Sequence, residues 1–324
     1  MISVVMATYN GEKYIIKQLD SILNQSKQPT EVIIYDDCSK DNTINIVREY
    51  IRKNNLENWK LYKSKQNQGH YRTFLKGLEV ASGDIIFFSD QDDIWKVDKI
   101  KIMYDIMTQH KDISLLECRS EFIDENDKII KRKRVSGKLK EIKYEKLCKS
   151  WGSGYTMAIT KEVAELGLRN NIFELPGFDY HDVLIAYFSR FLGKSYVINK
   201  VLDQHRLHQN NVTKKINSKP LRKSHQDRIQ YMQKCKQRLE SIKNIAKQNE
   251  RYLERYITKR DFIELIYIVD RYIDFYDYRE KFIRTNKINY MLKIIFNLRY
   301  YDNFKSLISD LLYAVKINEL FNKY

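Results

Sequence analysis

Glycine and proline are scarce in this chain: ten glycines and three prolines among 324 residues, with no glycine after Gly193 and only Pro220 beyond position 215. No low-complexity linker and no internal repeat can be built from such a composition, and the last third reads instead as long helices. Cysteine is equally sparse. Cys38, Cys118, Cys148 and Cys235 are widely scattered, and none forms the close pair of a zinc site or redox motif, so four unpaired thiols are expected. No run approaches the roughly 18 consecutive apolar residues of a membrane-spanning helix. The opening Met1-Ile2-Ser3-Val4-Val5 lacks the basic region and cleavage site of a secretory leader and reads as a strand, which points to the cytoplasm. A three-glycine dinucleotide turn is missing as well, since the first apolar run leads into Thr8-Tyr9-Asn10-Gly11-Glu12.

Positive charge is plentiful and uneven. The net charge is +16, of which residues 216–324 hold +10, from 23 Lys or Arg against 13 Asp or Glu. A basic, aromatic segment suits an anionic membrane surface, nucleic acid or an acidic polymer. The other basic run, Lys131-Arg132-Lys133-Arg134 within 125–143, has no interleaved aromatics for base stacking. It reads as a mobile solvated loop, and nucleic acid is not an expected partner.

Short runs rich in β-branched residues at 2–7, 32–35 and 85–88 fit strands buried in a parallel sheet. Between them Tyr14, Ile15, Leu19, Ile22 and Leu23, then Ile44, Val47 and Ile51, repeat at helical spacing. This β-α-β-α-β opening predicts an α/β fold, a doubly wound sheet with ligands beyond the carboxyl ends of its strands. The expected domains are 1–215, carrying this sheet, and 216–324, a basic, aromatic helical region. In the latter, Leu307, Ile308, Leu311, Leu312 and Val315 form one apolar stripe, and Leu253, Ile257, Ile263, Ile266, Tyr267 and Ile273 suggest a second. These stripes would pack internally, on a membrane surface or in a homodimer.

Acidic residues cluster just after two of the predicted strands, as Asp36-Asp37 and as Asp90-Gln91-Asp92-Asp93. Four apolar residues running into several carboxylates make a poor core and a good site for Mg²⁺ or Mn²⁺. On an extended segment Asp90 and Asp92 point the same way. A calcium EF-hand is excluded, because counting from Asp90 puts Trp95 where Gly is required and Lys101 where the bidentate Glu belongs. Without a glycine loop, a divalent cation is the natural holder of a diphosphate.

Four blocks, in order over about the first 215 residues, resemble family 2 glycosyltransferases of the GT-A fold. They are Val4-Val5-Met6-Ala7-Thr8-Tyr9-Asn10-Gly11 with Leu19, Ser21, Ile22 and Gln25; Asp36-Asp37-Cys38-Ser39-Lys40-Asp41-Asn42-Thr43; Asn67, Gly69 and the Ala81-Ser82-Gly83-Asp84 turn leading into Asp90-Gln91-Asp92-Asp93-Ile94-Trp95; and His181-Asp182 with His205-Arg206-Leu207-His208-Gln209-Asn210-Asn211-Val212. The last is similar to the bacterial rhamnosyltransferase-like branch of surface polysaccharide synthesis, although Leu207 stands where Gln is usual and His205 where Tyr is.

The resemblance implies an inverting, metal-dependent transferase that moves a sugar from a UDP-sugar or dTDP-rhamnose to a saccharide or polyprenol-linked acceptor, peripheral at the inner face of the cell membrane. Thr8, Tyr9, Asn10, Asp36, Asp37, Asn67, Asp90, Gln91 and Arg206 would receive the nucleotide sugar, with Asp36 favoured over Asp37 and Arg206 on the diphosphate. Asp92 and His208 would hold Mn²⁺ or Mg²⁺. Asp182 would be the catalytic base, unless it only caps a helix at 183–188, and Gly152, Gly154 and His181 would face the acceptor. A strand is expected at 155–159. The rival readings are a non-catalytic membrane-surface or polysaccharide-binding protein on the same fold, which would predict loss of Asp90, Asp92 or Asp182, and a nucleotidyltransferase, which would need a glycine-rich basic opening.

Overall fold

The computed structural model describes residues 1–132, 134–146, 152–170, 175, 180–209, 211, 225–285, 287–301, 307–308 and 310. Cys148, Trp151, Asn210, Val212, Pro220, Leu311, Leu312, Val315 and the central Lys133 of the basic run lie outside them.

A ten-stranded mixed sheet is the centre of the fold. Its strands are β1 (Ile2–Thr8), β2 (Glu31–Asp36), β3 (Trp59–Lys63), β4 (Ile85–Ser89), β5 (Ile94–Trp95), β6 (Ile113–Ile123), β7 (Ile129–Lys131), β8 (Leu139–Glu141), β9 (Met157–Thr160) and β10 (Lys194–Arg206), in the spatial order β3-β2-β1-β4-β9-β6-β10-β5, with β7 on β6 and β8 on β10. β3, β2, β1 and β4 run parallel. Both faces of β1 and β4 are covered, which is why their apolar runs are continuous rather than alternating. The chain leaves β1 toward β2 on one side and returns as β4 on the other. The carboxyl ends of β1 and β4 therefore form a topological switch point, where such sheets open a crevice.

Helix α1 (Ile15–Leu23) explains how that crevice is built. Ile15, Leu19 and Ile22 enter the core at helical spacing, and a polar set at 18, 21 and 25 lies beside them. Gln18 Nε2 donates to Ser89 Oγ at 2.7 Å, Ser21 Oγ accepts Trp95 N at 3.0 Å, and Gln25 Oε1 accepts Ile100 N at 3.0 Å. Two side chains of the helix, with Gln25 just beyond its end, thus fasten the segment from β4 to the start of α4 (Lys99–Gln109). Helices α2 (Thr43–Lys53) and α3 (His70–Val80) complete the first β-α-β-α-β run.

Two expectations are corrected. The stretch 125–143 holds strands β7 and β8 rather than a continuous solvated loop, because Asp124 Oδ1 accepts the Asn126 and Lys128 amides at 2.9 Å each and closes a tight turn that pairs β7 with β6. The strand foreseen at 155–159 begins later, at Met157, since Gly154–Thr156 is a 3-10 turn. Among the described residues, Cys38, Cys118 and Cys235 form no disulfide.

The described residues divide into two compact units, one drawn from 1–142, 151–173 and 179–209 and the other from 143–150, 174–178 and 210–324. In the first, α5 (Lys161–Arg169) and α6 (His181–Ser189) follow β9. The second is helical, with α7 (His225–Gln248), α8 (Glu250–Leu253), α9 (Lys259–Thr285) and α10 (Ile288–Ile295). Helices α7 and α9 lie antiparallel, since Lys236 pairs with Asp277 and Glu280 while Lys243 pairs with Asp270. Leu253 and Ile257 are buried as expected, but Ile263 and Tyr267 face outward. The buried register of α9 is Phe262, Leu265, Ile268, Tyr272, Phe275 and Phe282, one position away from the reading that apolar type alone favoured.

A fully buried ion pair sits under the first unit's core. Lys99 Nζ donates to Asp203 Oδ2 at 2.7 Å and to Tyr155 O at 2.6 Å, and lies 4.0 Å from the Trp95 ring centroid. One ammonium therefore joins α4, β5, β10 and the 3-10 turn. Breaking a buried pair from one side strands the other charge, at a cost of about 3–5 kcal/mol, whereas replacing both is far milder. Lys99→Met is expected to lose that much stability in urea unfolding and Lys99→Met/Asp203→Leu to recover most of it; equal losses in both would contradict the assignment.

Candidate active site

The loop at 90–93 leaves β4 at the switch point. Asp90, Asp92 and Asp93 each present an oxygen, and these oxygens all lie within 4.8 Å of one another. Burial, then repulsion from Asp93 and Asp92, pushes the Asp90 carboxyl well above its ordinary range. β10 supplies the opposing charge. His205 Nδ1 lies 2.8 Å from Asp93 Oδ1, and the Arg206 amide donates to the same oxygen at 3.0 Å. Burial works against the His205 charge, but Asp93, with Asp90 and Asp92 behind it, more than offsets this and raises its pKa to about 9. His208 Nε2 lies 2.6 Å from Asp92 Oδ2, so the two expected metal ligands meet. Three hard carboxylates with an imidazole against one of them fit Mg²⁺ or Mn²⁺. The buried Asp93 Oδ2 meets no donor among the described residues, which leaves an acceptor there for a cation.

Arg206 was expected to face a diphosphate, and its placement corrects this. The side chain is 0% exposed, with Nε donating to Asp92 O and Nη1 to Asp124 O, both at 2.9 Å, and Nη1 against Asp127. It braces the backbone of the acidic loop from below.

Asp36 and Asp37 also bond to protein. Asp36 is fully buried; Thr8 Oγ1 and Ser39 Oγ donate to its Oδ2 at 2.8 and 2.6 Å, and Ser39 N to its Oδ1 at 2.8 Å. Asp37 accepts Gln68 N at 2.7 Å and Gly69 N at 2.8 Å, with Asn67 Oδ1 also accepting Gly69 N at 3.2 Å. Both carboxylates shape the loops after β2 and β3. Asn10, at φ +49°, donates its amide to Ser39 Oγ and accepts Lys40 N on its side chain. Tyr9 is exposed. The Gln91 side chain pairs both ways with the Tyr9 backbone, at 2.9 Å each, and stitches the acidic loop to the loop after β1. A Cβ on Gly11 would stand 2.2 Å from Gln91 Oε1, so glycine is what admits this stitch.

On the other side stand Gly152 and Gly154. Asp182 lies in the first turn of α6, two positions past Tyr180, which holds the N-cap position expected for it. Its carboxylate accepts Val183 N at 2.7 Å and also the Gly154 amide, and burial pushes its pKa up despite these bonds. His181 is 4% exposed, stacked 4.0 Å from Phe74, and neither ring nitrogen meets a partner among the described residues. Burial, and His70 nearby, keep its pKa well below the ordinary value, so the ring is neutral. A Cβ on Gly154 would come within 2.4 Å of its Nε2, so His181 backs this turn. Glu117, absent from the residues singled out in the sequence, accepts the Gly152 amide. Tyr155 stacks on His205 with centroids 4.4 Å apart and planes 3° from parallel. A continuous path thus runs from Asp182 through Gly154, Tyr155 and His205 to Asp93.

The profile of glycosyl transferase family 2 matches residues 3–165. The dTDP-rhamnosyl transferase RfbG of Shigella flexneri is 30% identical over 215 residues, which cover 64% of this chain and 72% of that protein. An uncharacterized glycosyltransferase of Nostoc is 25% identical over 64% of this chain and 65% of its own length, just under two thirds of it. Among solved structures, Staphylococcus aureus TarS in complex with UDP-GlcNAc superposes with a TM-score of 0.54 at 18% identity, covering 88% of this chain and 92% of that one. GalNAc-T7 with UDP, GalNAc and Mn²⁺ gives 0.53 at 17%, covering 65% of this chain and 44% of that one. These last two likenesses establish the shared fold.

The His205–Asp93 pair has a pH signature. The folded pKa of about 9 lies above the roughly 6.5 of an unfolded histidine, so its contribution is complete below pH 6.5 and is lost between 6.5 and 9. With chelator present, stability in urea should fall by on the order of 3 kcal/mol across that window, and His205→Gln should remove most of the fall. A fall of the same size in His205→Gln would contradict the pairing.

Proposed function

We propose a specific activity on one established premise: the chain belongs to glycosyl transferase family 2. It is a glycosyltransferase, and the activity proposed is inverting, metal-dependent transfer of a sugar from a nucleotide-diphosphate donor, a UDP-sugar or dTDP-rhamnose, to a saccharide or polyprenol-linked acceptor in cell-surface polysaccharide synthesis. The observation that carries this is the carboxylate cluster at the switch point, with His208 against Asp92 and Asp182 linked to it through Gly154, Tyr155 and His205.

The proposed transferase domain is 1–215, with 216–324 as a basic helical domain. Tyr9, Asn10, Asn67 and Asp90 would line the nucleotide side, on loops that Thr8, Asp36, Asp37 and Gln91 hold in place. Asp92 and His208 would hold Mn²⁺ or Mg²⁺, which when bound neutralises the diphosphate and eases its departure. Asp182 would take the proton of the acceptor hydroxyl as that oxygen bonds to the anomeric carbon. The bond from that carbon to the diphosphate breaks on the opposite face and its electron pair leaves with the nucleotide. Burial supports this role, since a carboxyl whose pKa is pushed up is a better base near neutral pH. Gly152 and Gly154 would let the acceptor approach the backbone closely.

The donor named for RfbG favours thymidine and the ligand of TarS favours uridine, so both are carried forward. No helix among the described residues is long and apolar enough to cross a membrane, and we place the enzyme at the inner membrane face as a peripheral protein.

The test separates base from binding site. Asp182→Asn should bind UDP or dTDP with Mn²⁺ as the wild type does, by calorimetry, yet release nucleotide from the sugar donor about 10²–10⁴ times more slowly. In the wild type the rate should rise with pH along a limb lying above the ordinary carboxylate range. Unchanged turnover in Asp182→Asn would overturn the assignment of the base, and no nucleotide binding by the wild type would overturn the activity.

A further inference from the structure

Helix α10 and the turn after it expose an apolar face in the second unit. Ile294, Asn297 and Tyr300 point inward and are buried, while Ile288, Leu292, Ile295 and Phe296, spaced i, i+4, i+7 and i+8, share the outer face. Ile288 is 68% and Phe296 84% exposed, and Leu298 beyond them is exposed too. A phenylalanine so fully in water within an apolar cluster marks a contact surface rather than a scattered surface residue.

The charges around it say what covers it. Residues 281–301 contain five Lys or Arg and no Asp or Glu. Lys281 and Arg284 are paired with Asp277 and Glu280 on the preceding turn. Lys287, Lys293 and Arg299 meet no carboxylate among the described residues and flank the apolar face, with Lys293 against the Tyr278 and Tyr290 rings. A two-fold contact between copies of this face would bring these cations toward one another, which disfavours a second chain as occupant. An anionic bilayer satisfies both features: the side chains enter the acyl boundary and the flanking cations meet the lipid phosphates.

We propose that the face of Ile288, Leu292, Ile295 and Phe296, rimmed by Lys287, Lys293 and Arg299, is an interfacial anchor for anionic phospholipid. This deepens the peripheral location proposed for the enzyme and is independent of the donor chemistry.

The full-length protein is sedimented with vesicles of phosphatidylcholine alone and of phosphatidylcholine with a quarter phosphatidylglycerol. Strong partitioning is expected only into the second, weakening with salt. Leu292→Ser/Phe296→Ser should lower the partition coefficient at least tenfold and Lys293→Glu about fivefold or more, from roughly 1 kcal/mol per basic residue near such a surface. Ile263→Ser, at an exposed apolar residue of α9, should leave it unchanged, and circular dichroism with UDP titration confirms that each variant is folded. Wild-type binding that Leu292→Ser/Phe296→Ser retains would overturn this face while leaving the peripheral location standing, and no wild-type binding would overturn both. A change from dimer to monomer in that variant without loss of vesicle binding would assign the face to a second copy and also overturn the proposal.

Discussion

Like charges crowded at the end of a buried strand are the constraint around which this structure is arranged. Asp90, Asp92 and Asp93 hold their oxygens within 4.8 Å of one another, where mutual repulsion costs several times what it would in open water. The fold answers from outside the loop. His205 and the Arg206 amide take one oxygen of Asp93, the Arg206 guanidinium holds the Asp92 carbonyl, and His208 meets the Asp92 carboxylate. The compensation stops short of neutrality, as the upward push on Asp90 and the unmet Asp93 oxygen record. A cation there would supply the missing charge.

The same elements that balance the charge also fix where the loop points. Gln18 and Ser21 of α1 and Gln25 just after it hold its flanks, Gln91 ties it to Tyr9, and Lys99 joins its far end to β10 and to the Tyr155 carbonyl. Because Tyr155 also stacks on His205, contacts run from the acidic loop to Gly154 and Asp182. The two halves of the proposed reaction, departure of the diphosphate and deprotonation of the acceptor, would thus rest on one connected set of contacts.

What could be read from the sequence follows from the range of the interactions involved. Strands β1, β2 and β4 were legible because their β-branched runs are local, and the acidic motif because charge directly after such a run is unusual. Asp93 and His205, Lys99 and Asp203, and Glu117 with Gly152 were not, for their partners stand tens of residues or more than a hundred away and no local pattern links them. Arg206, Asp36 and Asp37 have buried side chains that bond to protein, a feature that residue type does not carry. The His181 ring is buried too, stacked on Phe74. On α9, Ile263 and Tyr267 look as apolar as Phe262 and Leu265, and only packing against α7 decides which set turns inward.

The most direct test of the account is a titration of the protein with Mn²⁺, following the free ion by electron paramagnetic resonance, with and without UDP or dTDP, in the wild type and in Asp92→Ala. The account predicts one site in the wild type, tightened by a nucleoside diphosphate and lost in Asp92→Ala. Binding of equal strength in Asp92→Ala, or no response to either nucleotide, would contradict the claim that the cluster at the end of β4 is a cation site serving a diphosphate.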